Sequence, residues 1–192
     1  RNPYADLARE RDRREIHLSR AQMRAYETLA ELQDTGEAKA ALLHGVTGSG
    51  KTQIMLKLID RTLAAGRTAI VMVPEIALTP QTVRIFCARY GERVAVIHSS
   101  LSAGERFDAW RRIRRGEVDL VIGTRSAVFA PLKNIGLIVV DEEHEHTYKS
   151  EQDPKYRTHR VCAYRAGVHH ALVVLASATP SFESYYAATH GR

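Results

Sequence analysis

Cysteine is almost missing from this chain. Cys87 and Cys162 are its two examples among 192 residues, and neither stands in a C-x-x-C pair. That excludes a C-x-x-C redox dithiol and a cysteine-rich zinc module within these residues. Long apolar runs are missing too, and none approaches the ~20 residues that a membrane helix needs. The opening stretch, Arg1 to Arg20, is charged throughout and leaves no apolar centre for a signal peptide. The chain opens on arginine rather than methionine, which reads as a fragment or an excised domain. There is no internal repeat and no low-complexity segment. Charge of one sign is only mildly in excess: 28 lysines and arginines against 22 acids, a formal +6. Such a balance favours a polyanionic partner without requiring one.

What is present suits one sizeable soluble domain. Hydrophobic residues make up 44% and charged residues 26%, ordinary for a globular protein with a buried core. Apolar runs alternate with helix-period stretches from Leu18 onward. The runs are Ala40–Leu43, Thr68–Val73, Val94–Ile97, Asp119–Gly123, Leu137–Val140 and Ala171–Ala176. Rich in β-branched residues and uninterrupted by polar ones, they suit strands covered on both faces. The expected fold class is therefore α/β, a central parallel sheet with helices on both faces. Residues 1–17 alternate in charge and read as a solvated helix or linker, and residues 18–192 as the domain itself.

The most specific stretch is Gly45-Val46-Thr47-Gly48-Ser49-Gly50-Lys51-Thr52, a G-x-x-x-x-G-K-T P-loop between an apolar run and a helical one. Its glycines let main-chain N–H groups approach phosphate oxygens, and a helix opening near Lys51 adds its positive end. Lys51 is expected on the β- and γ-phosphates and the Thr52 hydroxyl on Mg²⁺. Alone, this cradle is compatible with kinases, GTPases or transporters as well as motors.

A second acidic element completes it. Leu137–Val140 delivers Asp141-Glu142-Glu143-His144 at the end of an apolar run. Asp141 is expected to hold Mg²⁺ directly or through water, and Glu142 to orient or deprotonate the attacking water. His144 and His146 lack the further ligands of a zinc site, so His144 is read as a polar coupler to neighbouring loops. Ser177-Ala178-Thr179 follows the last apolar run, where the Ser177 and Thr179 hydroxyls could bond to the acidic loop. Gln22 opens a helix capped by Ser19. Its amide can donate and accept together, which suits the adenine edge. Arg111, Arg112, Arg114 and Arg115 spread around a helix axis and read as a solvated face rather than a DNA track.

Taken together, these stretches resemble lobe 1 of a superfamily 2 helicase. GVTGSGKT is similar to motif I, PEIALTPQ to motif Ia, GTRSAVFAP to motif Ib, DEEH to motif II and SATPS to motif III. HSSLSAGER, DEEHEHTYKSEQDPKYR and SATPSFES narrow the resemblance to the bacterial replication-restart helicases of the primosomal protein N′ family. The resemblance implies a RecA-like fold with the SAT strand between the P-loop and DEEH strands. It implies an ATP- and Mg²⁺-dependent 3′-to-5′ DNA helicase, probing forked and single-stranded DNA at stalled forks. Its partners would be single-strand DNA-binding protein and other primosome proteins, its setting the bacterial cytoplasm and nucleoid, its state a monomer. The family's zinc module, N-terminal DNA-binding domain and second lobe are not among these residues, so this chain is expected to bind no zinc. The motif Ia and Ib loops would grip phosphates through Thr79, Thr124, Arg125 and Ser126. The aromatic-spotted loop after DEEH would couple DNA to hydrolysis through Tyr148, Lys149, Lys155, Tyr156 and Arg157. Two other classes share the lobe: a double-strand DNA translocase and a non-hydrolysing primosome scaffold.

Overall fold

The computed structural model describes residues 2–12, 14–45, 50–141 and 158–177. In chain order the helices and strands are α1 (Arg20–Asp34), β1 (Lys39–His44), α2 (Lys51–Ala64), β2 (Thr68–Met72), α3 (Pro80–Tyr90), β3 (Val94–Ile97), α4 (Ala103–Arg114), β4 (Leu120–Gly123), β5 (Ile135–Asp141), α5 (Thr158–His169) and β6 (Leu172–Ser177). Short 3-10 turns occupy Leu7–Arg9, Glu75–Ala77, Gly91–Arg93 and Arg125–Phe129.

The six strands form one sheet in the order β1-β6-β5-β2-β4-β3, with every neighbouring pair parallel. Alternate residues of a strand face opposite sides, and each side has its own core. Ala69 and Val71 of β2 pack with Leu29 of α1, Ile54, Leu58 and Ile59 of α2, and Val83 and Phe86 of α3. Ile70 and Met72 pack on the other face with Ile113 of α4 and Cys162 and Ala166 of α5. This double covering is why β2 to β6 read as unbroken apolar runs, whereas β1 at the sheet edge is covered only in part. Fully burying a side chain such as Leu58 or Ile59 contributes roughly 1.5–3 kcal/mol, an upper estimate against an extended unfolded chain.

The helix starts follow local capping chemistry. The Ser19 hydroxyl accepts from the Gln22 N–H while the Gln22 side chain accepts from the Ser19 N–H, a reciprocal capping box. Ser102 and Glu105 repeat it on α4. Thr79 caps α3 with Pro80 at the first helical position, where a missing N–H costs nothing.

The leading segment departs from the solvated helix or linker that its charges suggest. Among its described residues the helical content is one 3-10 turn, and its apolar residues hold it to the sheet side that carries α3. Ala8 and Ile16 are buried, and Tyr4 and Leu7 pack against the same core. The Asp12 N–H donates to the Ala88 carbonyl at 2.9 Å, Arg84 pairs with Glu10 at 2.6 Å, and Arg89 donates to the Arg14 carbonyl at 3.0 Å. The charges are solvated as expected. Four apolar residues scattered among them decide where the segment lies.

Candidate functional site

The carboxyl ends of β1, β6 and β5 lie side by side, which brings together three stretches separated by more than 130 residues between Gly45 and Ser177. His44 is in register with Ser177, and Asp141 with Ala176. The Gly45 N–H donates to the Ser177 carbonyl at 3.2 Å, so the first P-loop residue is tied to the SAT strand. Two strand spacings separate β1 from β5, which puts the Gly45 and Asp141 backbones about 10 Å apart across the sheet. Such a crevice beyond the carboxyl ends is where open α/β sheets bind ligands.

Gly50 and Lys51 open α2 below this crevice. Gly50 is left-handed (φ 80°, ψ 22°), a conformation that glycine adopts without strain. A Cβ there would fall 2.0 Å from Gln22 Nε2, so the glutamine amide rests on the P-loop exit. The Gln22 Oε1 is engaged by the Ser19 N–H at 2.8 Å. Lys51 Nζ donates to the Gly45 carbonyl at 2.5 Å, folding the lysine across its own loop. Thr52 is exposed and Asp141 half-exposed, whereas Ser177 is fully buried. The donor set fits a magnesium nucleotide. Lys51 and Thr52 at the start of α2 and Asp141 at the carboxyl end of β5 supply a cation, main-chain N–H groups, a hydroxyl and a carboxylate. Among the described residues there is no cluster of three histidine, cysteine or acidic side chains placed to hold another metal. Val46, Thr47, Gly48, Ser49, Glu142, His144 and Thr179 lie outside the described residues, as do Tyr148, Lys149, Lys155, Tyr156 and Arg157.

The loops after β2, β3 and β4 form the adjoining rim. Thr79 is exposed, but its oxygen accepts from the Thr82 N–H at 3.2 Å as the cap of α3. Glu75 takes a hydrogen bond from the Ser99 hydroxyl, joining the loop after β2 to the loop after β3. His98 Nε2 sits 2.5 Å from the Tyr4 hydroxyl, and burial lowers its pKa. The loop after β4 starts under tight constraint. Val73 N–H bonds to the Gly123 carbonyl at 2.9 Å and Thr124 N–H to the Ile97 carbonyl at 3.1 Å. Thr124 is buried by this anchoring, while Arg125 and Ser126 are half-exposed.

The basic run on α4 is a surface of local pairs. Arg111 meets Asp108 at 3.3 Å, Arg112 donates to the Glu92 carbonyl, and Arg115 stands 4.0 Å from Glu117. Two arginine nodes carry no motif signature. Arg89 forks onto Asp60 of α2 at 3.1 and 2.5 Å, and the Tyr90 hydroxyl adds a bond to Asp60 at 2.9 Å. Burial, then Asp60, drives the Tyr90 pKa far upward. This node ties the helix that starts at the P-loop to the helix that starts at Thr79. Arg165 of α5 grips the loop after β4, as described below.

Comparison with known proteins places this geometry. Replication restart protein PriA of Bacillus subtilis (strain 168) is 51% identical over 191 residues, 100% of this chain and 24% of that protein. PriA of Synechocystis is 47% identical over 88% of this chain and 20% of its own length. The chain thus spans about a quarter of the length of these relatives. RecG bound to a three-way DNA junction matches in structure with a TM-score of 0.66 and 25% identity, covering 93% of this chain and 23% of RecG. The Pyrococcus furiosus Hef helicase domain matches with a TM-score of 0.62 and 20% identity over 96% of this chain and 36% of its own. The family description DEAD/DEAH box helicase matches residues 19–187, from the cap of α1 past the SAT stretch, and the chain belongs to that family.

Proposed function

We propose that this chain is the nucleotide-binding lobe of an ATP-driven DNA helicase that serves bacterial replication restart. The observation that carries the reading is the junction of β1, β6 and β5, where Gly45 is bonded to Ser177 on one side of β6 and Asp141 stands on the other. The identity of 51% and 47% to PriA proteins over 100% and 88% of the chain gives the reading its direction.

In this reading Lys51 leaves the Gly45 carbonyl to meet the β- and γ-phosphates, and Thr52 and Asp141 hold Mg²⁺. The metal supplies charge neutralisation along the phosphates. Gly45 to Gly50, with Val46, Thr47, Gly48 and Ser49, cradle the phosphates, and Gln22 reads adenine from beside Gly50. Glu142 orients water. Because Gly45 and Ser177 share a hydrogen bond, a change at the phosphates is felt at the SAT strand, and His144 and Thr179 would extend that coupling. Thr79, Thr124, Arg125 and Ser126 supply phosphate grips through side chain or main chain, and Tyr148 to Arg157 the coupling loop. Forked DNA, 3′-to-5′ movement, single-strand DNA-binding protein and the primosome partners belong to the same proposal. So do a cytoplasmic, nucleoid-associated setting and a monomeric state.

The test is strand displacement by the full-length protein on forks that carry either a 3′ or a 5′ single-stranded arm, run beside a translocation assay on duplex. The reading expects ATP-dependent displacement from the 3′ arm. Translocation without displacement would favour the double-strand remodeller, and neither activity would favour a scaffold.

A further inference from the structure

Arg165 is a guanidinium taken half out of water and surrounded by main-chain carbonyls. Its Nη1 donates to the Val128 and Ala130 carbonyls, both at 2.7 Å, and its Nη2 donates to the Leu132 carbonyl at 3.4 Å. Burial lowers its pKa, the mark of a cation drawn into a less polar place. Burying such a group is costly unless its donors are used. Here all three bonds go to one short stretch of the loop after β4.

That loop has two anchors. Its front is fixed by the sheet, through Val73 to Gly123 and Thr124 to Ile97. Its rear turns through Ala130 N–H to the Ala127 carbonyl and Leu132 N–H to the Ala130 carbonyl, and Arg165 closes over those carbonyls from α5. Arg125 and Ser126 stand between the anchors, half-exposed, on a 3-10 turn whose Ala127 and Val128 are fully buried. Their direction therefore depends on both anchors, and the rear one is held by Arg165. A lysine could reach one or two of these carbonyls but has no planar fork to meet three.

The geometry points to Arg165 as a positioning residue for nucleic acid: by clamping Val128–Leu132 it aims Arg125 at a phosphate of the bound strand. The inference rests on the proposed function, in which Arg125 is a phosphate contact. Arg165 acts through the loop, its guanidinium being spent on the Val128, Ala130 and Leu132 carbonyls.

The experiment uses the full-length protein and a fluorescent single-stranded oligonucleotide, with affinity measured by anisotropy at several salt concentrations. Arg125→Ala should weaken binding roughly tenfold, as expected for a lost charge-assisted hydrogen bond. It should also flatten log K against log salt by about 0.7, one phosphate contact on a single strand. Arg165→Met should reproduce most of both changes, and the double variant should be no worse than Arg125→Ala alone. Arg165→Lys should recover part of the loss. DNA-free ATPase should stay at the parent level in Arg165→Met and Arg165→Lys. Wild-type affinity and slope in Arg165→Met, beside a weakened Arg125→Ala, overturns the inference alone. Additive losses overturn it as well, since Arg165 would then act elsewhere. A parallel fall of DNA-free ATPase reveals a merely structural role and also overturns it. If Arg125→Ala keeps wild-type affinity and slope, the phosphate contact fails and takes the inference with it.

Discussion

Replacing Gly123 by alanine should cost this protein several times what the same change gains elsewhere. Gly123 ends β4 between two neighbouring strands. A Cβ on it would lie 2.2 Å from the Ile97 carbonyl oxygen, 2.9 Å from Ala127 Cβ and 3.1 Å from the Ile97 carbonyl carbon. The nearest obstacle is main chain, so no side chain can swing aside. Reaching ordinary van der Waals contact requires a retreat of more than about 1 Å. The oxygen that must retreat is the one that accepts from the Thr124 N–H at 3.1 Å. Overpacking contributes about 1–3 kcal/mol and the weakened hydrogen bond about 1 kcal/mol, for a loss of about 2–4 kcal/mol. Gly167 on α5 is the control. Nothing lies within 4 Å of its hypothetical Cβ, and alanine there should stabilise by about 0.5–1 kcal/mol through helix propensity. Urea unfolding followed by circular dichroism reads both variants, with the slope m checked for constancy. A Gly123→Ala protein as stable as its parent, or one shifted in the same direction as Gly167→Ala, would refute the steric reasoning.

Asp60→Asn should destabilise by about 1–2 kcal/mol, since the pair with Arg89 is only partly shielded from water. A double-mutant cycle with Arg89→Met should show coupling, and strict additivity would deny that the two helices are tied there. Both thiols should resist alkylation at pH 8 in the folded protein and react on unfolding, because burial pushes Cys87 up to about 11 and Cys162 up to about 12. The sign of the linked effect follows. Above the ordinary thiol value of 9.0 the unfolded chain releases these protons first, so their contribution to stability falls as pH rises from about 9 to about 11–12. A folded protein alkylated as fast as free cysteine would contradict the burial.

The strands and the start of the first helix were legible because their causes are local. A strand buried on both faces must be apolar throughout, and Ser19 announces a helix by capping chemistry. The P-loop and the Asp141 strand were legible because phosphate and metal chemistry restricts residue type at fixed spacing. What escaped is what depends on distance in space. Nothing in Arg165 says that it will meet three carbonyls more than thirty residues away, because carbonyls belong to every residue. The Arg89–Asp60–Tyr90 node joins residues about thirty apart on helices whose faces already satisfy an amphipathic pattern. The leading segment misled for a related reason. Its charges outnumber its apolar residues, yet Tyr4, Leu7 and Ile16 have a core to meet and Ala8 is buried beside them. Thr124 shows the opposite limit: motif position suggests a grip on DNA, while the sheet edge buries its side chain.

The central claim is that Gly45–Thr52, with Asp141 beside it, forms half of a motor's ATP site. The most direct test measures ATP hydrolysis by the full-length protein with and without forked DNA, beside Lys51→Ala and beside the 192-residue chain alone. The account predicts hydrolysis stimulated by forks, its loss in Lys51→Ala, and almost none from the lone chain if, as the resemblance implies, a second lobe supplies an arginine finger worth about 10³–10⁵ in rate. Fork-stimulated hydrolysis that survives Lys51→Ala, or that the lone chain carries out at full rate, would contradict it.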